Sequence, residues 1–247
     1  MNTERTKGII DLHIHSAPDV RQRKMNDLEL MEAGVKLGAR AMVIKSHLVP
    51  TMDRATLVNQ IRKEKYPDSD LEMFGAIALN RTVGGINPHA AEAALKLGAK
   101  IVWLPTNTSS NHFGKSGKTG GVEVLKDGQV IPELKDIFEL VKEHDAVLAT
   151  GHISSYECFK VSEAARDAGV KKIVITHPEF HIVGMTIEER TDRQRLRRSS
   201  GNGICTADRR RRLQEKSSGE CRDYEAHWMR ALYRGIRQRT DAESVLV

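Results

Sequence analysis

Residues 163–177 read EAARDAGVKKIVITH, and this stretch decides the fold because its pattern occurs three times along the chain. The other copies are EAGVKLGARAMVIKSH at residues 32–47 and EAALKLGAKIVWLPT at residues 92–106. In each copy a glutamate precedes a glycine by six positions, and a short apolar run follows. A glycine that can adopt positive φ ends an amphipathic helix, and an apolar run without polar alternation is typical of a strand buried on both faces.

The same criteria predict six successive β-then-α units. The strands fall near residues 8–14, 41–47, 73–79, 100–105, 146–151 and 172–177, and the helices near 27–38, 53–64, 89–98, 132–144 and 155–168. This alternation favours an α/β fold of the (β/α)8 TIM-barrel type over a doubly wound sheet, because no glycine-rich dinucleotide fingerprint follows the first strand. We therefore predict one domain over residues 1–189, a barrel that is incomplete because strands seven and eight are missing.

The composition narrows the class of protein. The 247 residues suffice for one barrel domain, and the sequence contains neither a membrane-length apolar run nor an export signal. Its three cysteines, Cys158, Cys205 and Cys221, have no spacing typical of a disulfide framework or a thiolate metal site. We expect a cytoplasmic protein with no membrane partner, acting on a small molecule, and the sequence leaves room for a homo-oligomer.

The formal charge of +6 is confined to the C-terminal segment. Residues 190–247 hold 15 Lys and Arg against 8 Asp and Glu, which leaves 24 against 25 for residues 1–189. Arginine supplies 14 of those 15 basic residues, whereas a basic arm that binds nucleic acid usually mixes lysine with arginine. We therefore predict no nucleic-acid partner, and treat residues 190–247 as a separate Arg-rich, aberrant and poorly ordered tail.

Histidines recur at the predicted strand ends. His13 and His15 close strand one and point to the same face, while His152 and His177 follow strands five and six. Each could be a hydrogen-bonded core or rim residue, but repeated coincidence with strand ends is hard to explain by packing, since an apolar side chain would fill the space without needing a hydrogen bond. The pattern favours a divalent metal site, with zinc the first choice and manganese, iron or nickel as alternatives.

Other polar residues at the same end are candidates for catalysis and substrate binding. Lys45 and His47 follow strand two, and Glu179 is a weak candidate for a carboxylate base. The candidate substrate-binding residues are Arg81, Asn107, Lys115 and Lys118. The last two lie in the glycine-rich segment 114–121, which lacks the first glycine of a phosphate loop and is predicted to cover the barrel mouth. Asp19 is either a turn residue or a partner of a ligating histidine.

The sequence resembles the amidohydrolase superfamily. The resemblance rests on GIIDLHIHSAPDV, VIKSHLVPT, LNRTVGGINPHA, WLPTNTSSNH, ATGHIS and ITHPEFHIVGMT, spans roughly residues 7–189, and is closest to an uncharacterised amidohydrolase-like family. It implies a metal-dependent hydrolase in which His13, His15, His152 and His177 bind the metal. The chain departs from the superfamily in having neither a bridging lysine on strand four nor an aspartate after strand eight, and the former favours one ion over two.

A shifted reading frame is one explanation of the tail. Arginine codons of the CGN type become GNN, often glycine, when read one base later, and codons can be chosen so that LYRGIRQRTDAES becomes YIVASDSGQTQNP. That string is an apolar strand ending in Ser-Asp, where the superfamily has its last metal-site residue. We expect a chain impaired in activity.

A metal-dependent decarboxylase, lyase or isomerase on the same barrel is the alternative function. Nucleic-acid binding through the tail is a weaker alternative.

Overall fold

A computed structural model describes residues 7–191 and the strand at residues 204–207. The strands are β1 Ile10–Ile14, β2 Ala41–Ile44, β3 Glu72–Phe74, β4 Ala76–Ala78, β5 Ile101–Trp103, β6 Leu125–Lys126, β7 Gln129–Val130, β8 Val147–Ala149, β9 Ile173–Thr176 and β10 Ile204–Ala207. The helices are α1 Asp27–Leu37, α2 Met52–Lys65, α3 Pro88–Lys96, α4 Ser110–Lys115, α5 Pro132–Glu143, α6 Ser155–Asp167 and α7 Ile187–Thr191, with a 3-10 turn at Arg81–Val83. The fold is mixed α/β.

Parallel strands form two sheets that follow the chain order. One sheet runs β1-β2-β3 and the other runs β10-β9-β8-β5-β4, while β6 and β7 form a separate antiparallel hairpin. Because β3 and β4 are consecutive halves of one predicted strand, the strands succeed one another as in a (β/α)8 barrel. Within residues 7–191 and 204–207, β1 and β10 do not pair, so the barrel is not closed. An incomplete barrel agrees with the prediction.

Local signals explain the helices. In α1 the Asn26 side chain accepts from the Glu29 amide and the Glu29 carboxylate accepts from the Asn26 amide, and Gly38 ends the helix with φ of 64°. Ser154 and Glu157 form the same reciprocal cap on α6. Such caps satisfy the free N–H groups at a helix start. All five predicted helices are present, each within two residues of its predicted ends.

The predicted third strand is interrupted at Gly75. The Thr51 hydroxyl donates to the Ile44 carbonyl at 2.7 Å, and the Ala76 amide donates to that hydroxyl at 2.9 Å. A Cβ on Gly75 would lie 2.4 Å from the Met52 Cα, so only glycine allows this approach. The chain therefore pairs with β2 before Gly75 and with β5 after it, which joins the two sheets.

Packed side chains fill the inside of the curved sheet. The inner cluster consists of Ile10, Ala41, Val43, Phe74, Ala76, Ala78, Ile101, Trp103, Val147, Ala149 and Val174. Trp103 is 1% exposed and is the largest of the fully buried side chains. Residues from the opposite faces of the same strands pack against the helices in the outer clusters. The inner cluster forms a floor below the carboxyl ends of the strands.

The tail contributes one strand that the sequence did not predict. β10 pairs in parallel with β9, with Ile204 opposite Ile173, and occupies the position expected for strand seven. The run ICTA is too short to show periodicity, so the sequence could not predict this strand. Its pairing with β9 identifies it. The predicted disorder and frameshift of residues 190–247 otherwise concern residues outside the described part of the chain. In the described part, no helix combines the length and apolar character needed to cross a bilayer.

A candidate histidine-rich active site

Imidazole rings from four strand ends meet above the floor. The centroids of His13 and His15 are 5.2 Å apart, and those of His13 and His177 are 4.8 Å apart. His47 stacks on His15 at 4.7 Å, and His152 lies 5.7 Å from His47 and 5.8 Å from His177. The structure thus brings together the four predicted metal ligands and the predicted catalytic histidine. We call these five residues the histidine cluster.

The donor atoms of His13 and His15 have a separation that suits one ion. Their Nε2 atoms are 3.3 Å apart. Two nitrogens bound at about 2.0–2.1 Å to one tetrahedral zinc ion lie about 3.3–3.4 Å apart, and the ring centroids of such ligands lie about 5 Å apart. The ring centroid of His177 lies 4.8 Å from that of His13 and 5.8 Å from that of His152, which are just below and just above this centroid separation. The chemistry and spacing of this donor set fit a metal ion.

Full coordination would need the rings to turn. Within the described residues no three His, Cys, Asp or Glu side chains are already arranged to hold an ion. The Lys45 Nζ lies 3.1 Å from the His13 Nε2 and so contacts the same nitrogen that faces His15. An ion held by His13 and His15 would therefore displace the Lys45 amine from this contact.

Burial keeps three imidazoles of the cluster uncharged. It lowers the pKa of His152 to about 2 and the pKa values of His15 and His47 to about 3, with Lys45 adding a smaller repulsive effect in each case. These three imidazoles are therefore neutral at pH 7 and keep a free lone pair. Neutral imidazole is the form that binds transition metals.

Lys45 is buried between the cluster and the floor. Its side chain is 1% exposed, and Nζ lies 3.8 Å from the centroid of the Trp103 ring. Burial lowers the pKa of this lysine well below its usual range. Trp103 stands on β5, the strand that was predicted to provide no bridging lysine. The indole and the Lys45 amine fill the space beside His13.

A buried polar network holds His47. Its Nδ1 lies 2.8 Å from the Thr106 hydroxyl, which accepts from the Asn80 Nδ2 at 2.6 Å. Asn80 and Thr106 are both fully buried. Sequence reasoning did not recognise this role of Asn80, because the network depends on the register of three neighbouring strands.

His152 is held by a backbone turn that depends on Gly151 and by a residue that the sequence did not single out. Its amide donates to the Pro105 carbonyl at 2.9 Å, and the preceding Gly151 has φ of 67°. The Nδ1 atoms of His112 and His152 are 3.0 Å apart, and Asn111 donates to the His152 carbonyl at 3.0 Å. His112 extends the cluster to a sixth imidazole. The signal was weak because His112 lies on the short α4 and not at a strand end.

Three further candidates lie outside the cluster, in the 3-10 turn, on α4 and in the glycine-rich segment. The Arg81 guanidinium donates to the Gly120 carbonyl and lies 5.1 Å from the centroid of Phe113, so it fastens the glycine-rich segment. Lys118 lies over the same ring at 5.7 Å. Lys115 is exposed on α4. The segment follows a helix and not a buried strand, which agrees with the exclusion of a phosphate loop.

Two acidic candidates have other partners. Glu179 pairs with Arg190, which turns its carboxylate to an ion pair at the protein surface. Asp19 accepts from the Arg21 amide at 3.2 Å and pairs with Arg23 at 2.7 Å, and its charge also acts on His15, so it is both a turn residue and an electrostatic neighbour of a proposed ligand. Burial would raise the pKa of Asp19, but the hydrogen bond from Arg23 and further contributions outweigh it and lower that pKa.

Several buried polar atoms around the cluster are unsatisfied within the described residues. They are His15 Nδ1, Trp103 Nε1 and Asn107 Oδ1. Buried polar groups normally find a hydrogen-bond partner. Asn107 was predicted to bind substrate, and its free carbonyl oxygen can accept a hydrogen bond from a bound molecule.

Comparison with known proteins identifies the family. Residues 8–197 match a family of unknown function, DUF6282. The chain belongs to this family. Membership in DUF6282 specifies no activity, and no curated protein matches the chain in sequence.

Two solved structures are similar to the chain at low identity. An amidohydrolase from Pseudomonas aeruginosa aligns over 70% of this chain and 53% of its own, with 15% identity and a TM-score of 0.45. A protein from Coccidioides immitis, provisionally named a deoxyribose-phosphate aldolase, aligns over 70% of this chain and 60% of its own, with 13% identity and a TM-score of 0.40. The chain thus spans between half and two thirds of the length of each.

Proposed function

We propose that the chain is a metal-dependent hydrolase of small polar substrates, in which His13, His15, His152 and His177 hold one divalent ion. The observation that carries this proposal is the 3.3 Å separation of the His13 and His15 Nε2 atoms at a strand end that other imidazoles surround. Zinc is the metal that best suits neutral imidazole in a tetrahedral site, with manganese, iron and nickel as alternatives.

The proposed ion would supply the nucleophile that hydrolysis needs. A bound divalent ion lowers the pKa of a coordinated water toward about 7, which makes hydroxide available at neutral pH. The residues of the chain would orient the reactants: His47 lies among the four proposed ligands, and Asn107 offers a free acceptor to a substrate N–H or O–H. Lys118, Lys115 and Arg81 place positive charge on the segments outside the cluster and would attract an anionic substrate. Glu179 is not part of the proposal, because Arg190 holds its carboxylate.

Zinc binding tests the proposal directly. The parent chain should bind about one equivalent of zinc, and the double variant His13→Ala, His15→Ala should bind more than about 100-fold more weakly, since removal of supporting groups alone costs up to that factor. His89→Ala is the matched control, because His89 is an exposed histidine on α3. The measurements are calorimetric titration and elemental analysis after dialysis. Equal zinc content in the parent and the double variant would refute the metal site.

Lys45 favours a second candidate, a lyase on the same barrel. A buried amine with a lowered pKa can attack a carbonyl carbon, form an imine and release water. Borohydride reduction in the presence of a small aldehyde such as glyoxylate would then add mass to Lys45, and Lys45→Met would abolish the adduct. The exposed Lys115 serves as the control site. The hydrolase proposal predicts no adduct that depends on Lys45.

A further inference from the structure

We infer that His47 presents its Nε2–H to the site as a hydrogen-bond donor to a substrate oxygen, and that Asn80 and Thr106 fix this tautomer. The role toward substrate rests on the proposed function. The tautomer follows only from matching hydrogen-bond donors to acceptors among His47, Thr106 and Asn80. Nε2 of His47 forms no hydrogen bond within the described residues, and the ring stacks on His15, so this edge belongs to the histidine cluster.

Backbone groups determine how Asn80 is oriented. Its Oδ1 accepts from the Thr106 amide at 2.8 Å and from the Thr108 amide at 3.3 Å. Its Nδ2 donates to the His47 carbonyl at 2.8 Å. A flipped side-chain amide would set donor against donor and acceptor against acceptor at these contacts, so the orientation is fixed.

The orientation of Asn80 in turn fixes the Thr106 hydroxyl. Because Asn80 Nδ2 donates to the Thr106 Oγ1, that oxygen acts as an acceptor there. The hydroxyl proton then needs its own acceptor, and the remaining side-chain contact of Thr106 in the described part of the chain is His47 Nδ1 at 2.8 Å. In the opposite arrangement the imidazole would donate, and a hydroxyl proton would be left without an acceptor in a fully buried place.

His47 therefore has its lone pair on Nδ1 and its proton on Nε2. A nitrogen that carries a proton cannot bind a cation, and it cannot remove a proton from water. This separates His47 from the four proposed ligands, although all five rings lie within one cluster. An N–H held at this place suits an oxygen that gains negative charge during the reaction, such as that of a carbonyl or phosphoryl group.

Nuclear magnetic resonance reads the tautomer without any activity assay. The full chain, labelled with 15N-histidine and held at pH 8, should show the Nε2–H coupling pattern for His47, assigned by its absence in His47→Gln. Thr106→Val should allow the Nδ1–H form to appear, and Thr106→Ser should restore the parent pattern. Thr108→Val is the matched control, because the Thr108 hydroxyl bonds Asn80 at 2.9 Å and has no bond to His47.

Each result of these experiments tests a different part of the inference. An Nδ1–H pattern for His47 in the parent overturns the inference, even if Thr106→Val does not fold. A shift to Nδ1–H in Thr108→Val as large as in Thr106→Val overturns the role of Thr106. His47→Gln should lower the zinc affinity of the parent by less than about 100-fold, the most that removal of a supporting group costs, and a larger loss would make His47 a ligand and overturn its role as donor. A parent that binds no zinc refutes the proposed function and leaves the tautomer result standing.

Discussion

Gly151 positions His152 because its backbone lies against the end of β5. A Cβ at this place would lie 2.3 Å from the Leu104 carbonyl oxygen and 2.5 Å from that of Pro105. Gly117 has nearly the same φ, 70° against 67°, but has nothing within 4 Å of its Cβ position. We expect Gly117→Ala to cost about 1–2 kcal/mol of unfolding free energy through backbone strain alone.

Gly151→Ala should cost about 1–3 kcal/mol more than Gly117→Ala, because it adds a steric clash to the same strain. It should also weaken zinc binding, since the shifted turn carries His152. Urea denaturation and zinc titration of the two variants measure both effects. Equal losses of stability in the two would mean that the strand end moves freely and does not fix His152.

At the level of single residues, the sequence predicted which histidines come together but not which residues hold their side chains in place. His13, His15, His152 and His177 follow from strand ends, because parallel strands deliver their last side chains to one edge. The roles of Asn80 and His112 could not be predicted, since their partners come from other strands and depend on register. Glu179 was a reasonable candidate by position, but its ion pair with Arg190 depends on how the chain turns after β9.

Helices α1 and α2 are joined by two ion pairs of different character. Arg54 binds Asp27 through two hydrogen bonds of 2.7 Å, and both side chains are about a tenth exposed. Lys65 and Glu32 are 3.6 Å apart and about half exposed. Asp27 also accepts from the Ser16 hydroxyl at 2.6 Å, so the first pair ties the helices to the segment after His15.

Arg54→Met should cost about 3 kcal/mol of unfolding free energy, because it leaves the buried Asp27 carboxylate without its partner. Lys65→Met, on the same helix, should cost less than about 1 kcal/mol, as exposed pairs do. Chemical denaturation of both variants measures the difference. A loss of under 1 kcal/mol for Arg54→Met would show that Ser16 and solvent suffice to hold Asp27.

Helices were easier to predict than strand details. Caps and periodicity lie within each helix, whereas the break at Gly75 depends on Thr51 from a distant segment. The hairpin of β6 and β7 had a readable signal that the prediction did not use. Asp127 and Gly128 both have positive φ, 51° and 75°, and an Asp-Gly pair is typical of a two-residue hairpin turn.

At the scale of the whole molecule, the Arg-rich composition of residues 190–247 bears on the strand that is missing next to β1. The family match ends at residue 197, close to the predicted change of composition. We predict that the nucleotide sequence contains a frame shift between codons 186 and 200, and that the corrected chain melts at a higher temperature because it adds the missing strand next to β1. An uninterrupted frame with the same tail in close relatives would contradict this prediction.

The floor that Trp103 completes lies under the imidazoles in the described part of the chain. Under the proposed function, substrate would therefore approach the cluster from the side of the loops that follow the strands, and product would leave on that same side. Product that stays bound would compete with the next substrate molecule, so turnover would slow as product accumulates even while substrate remains plentiful.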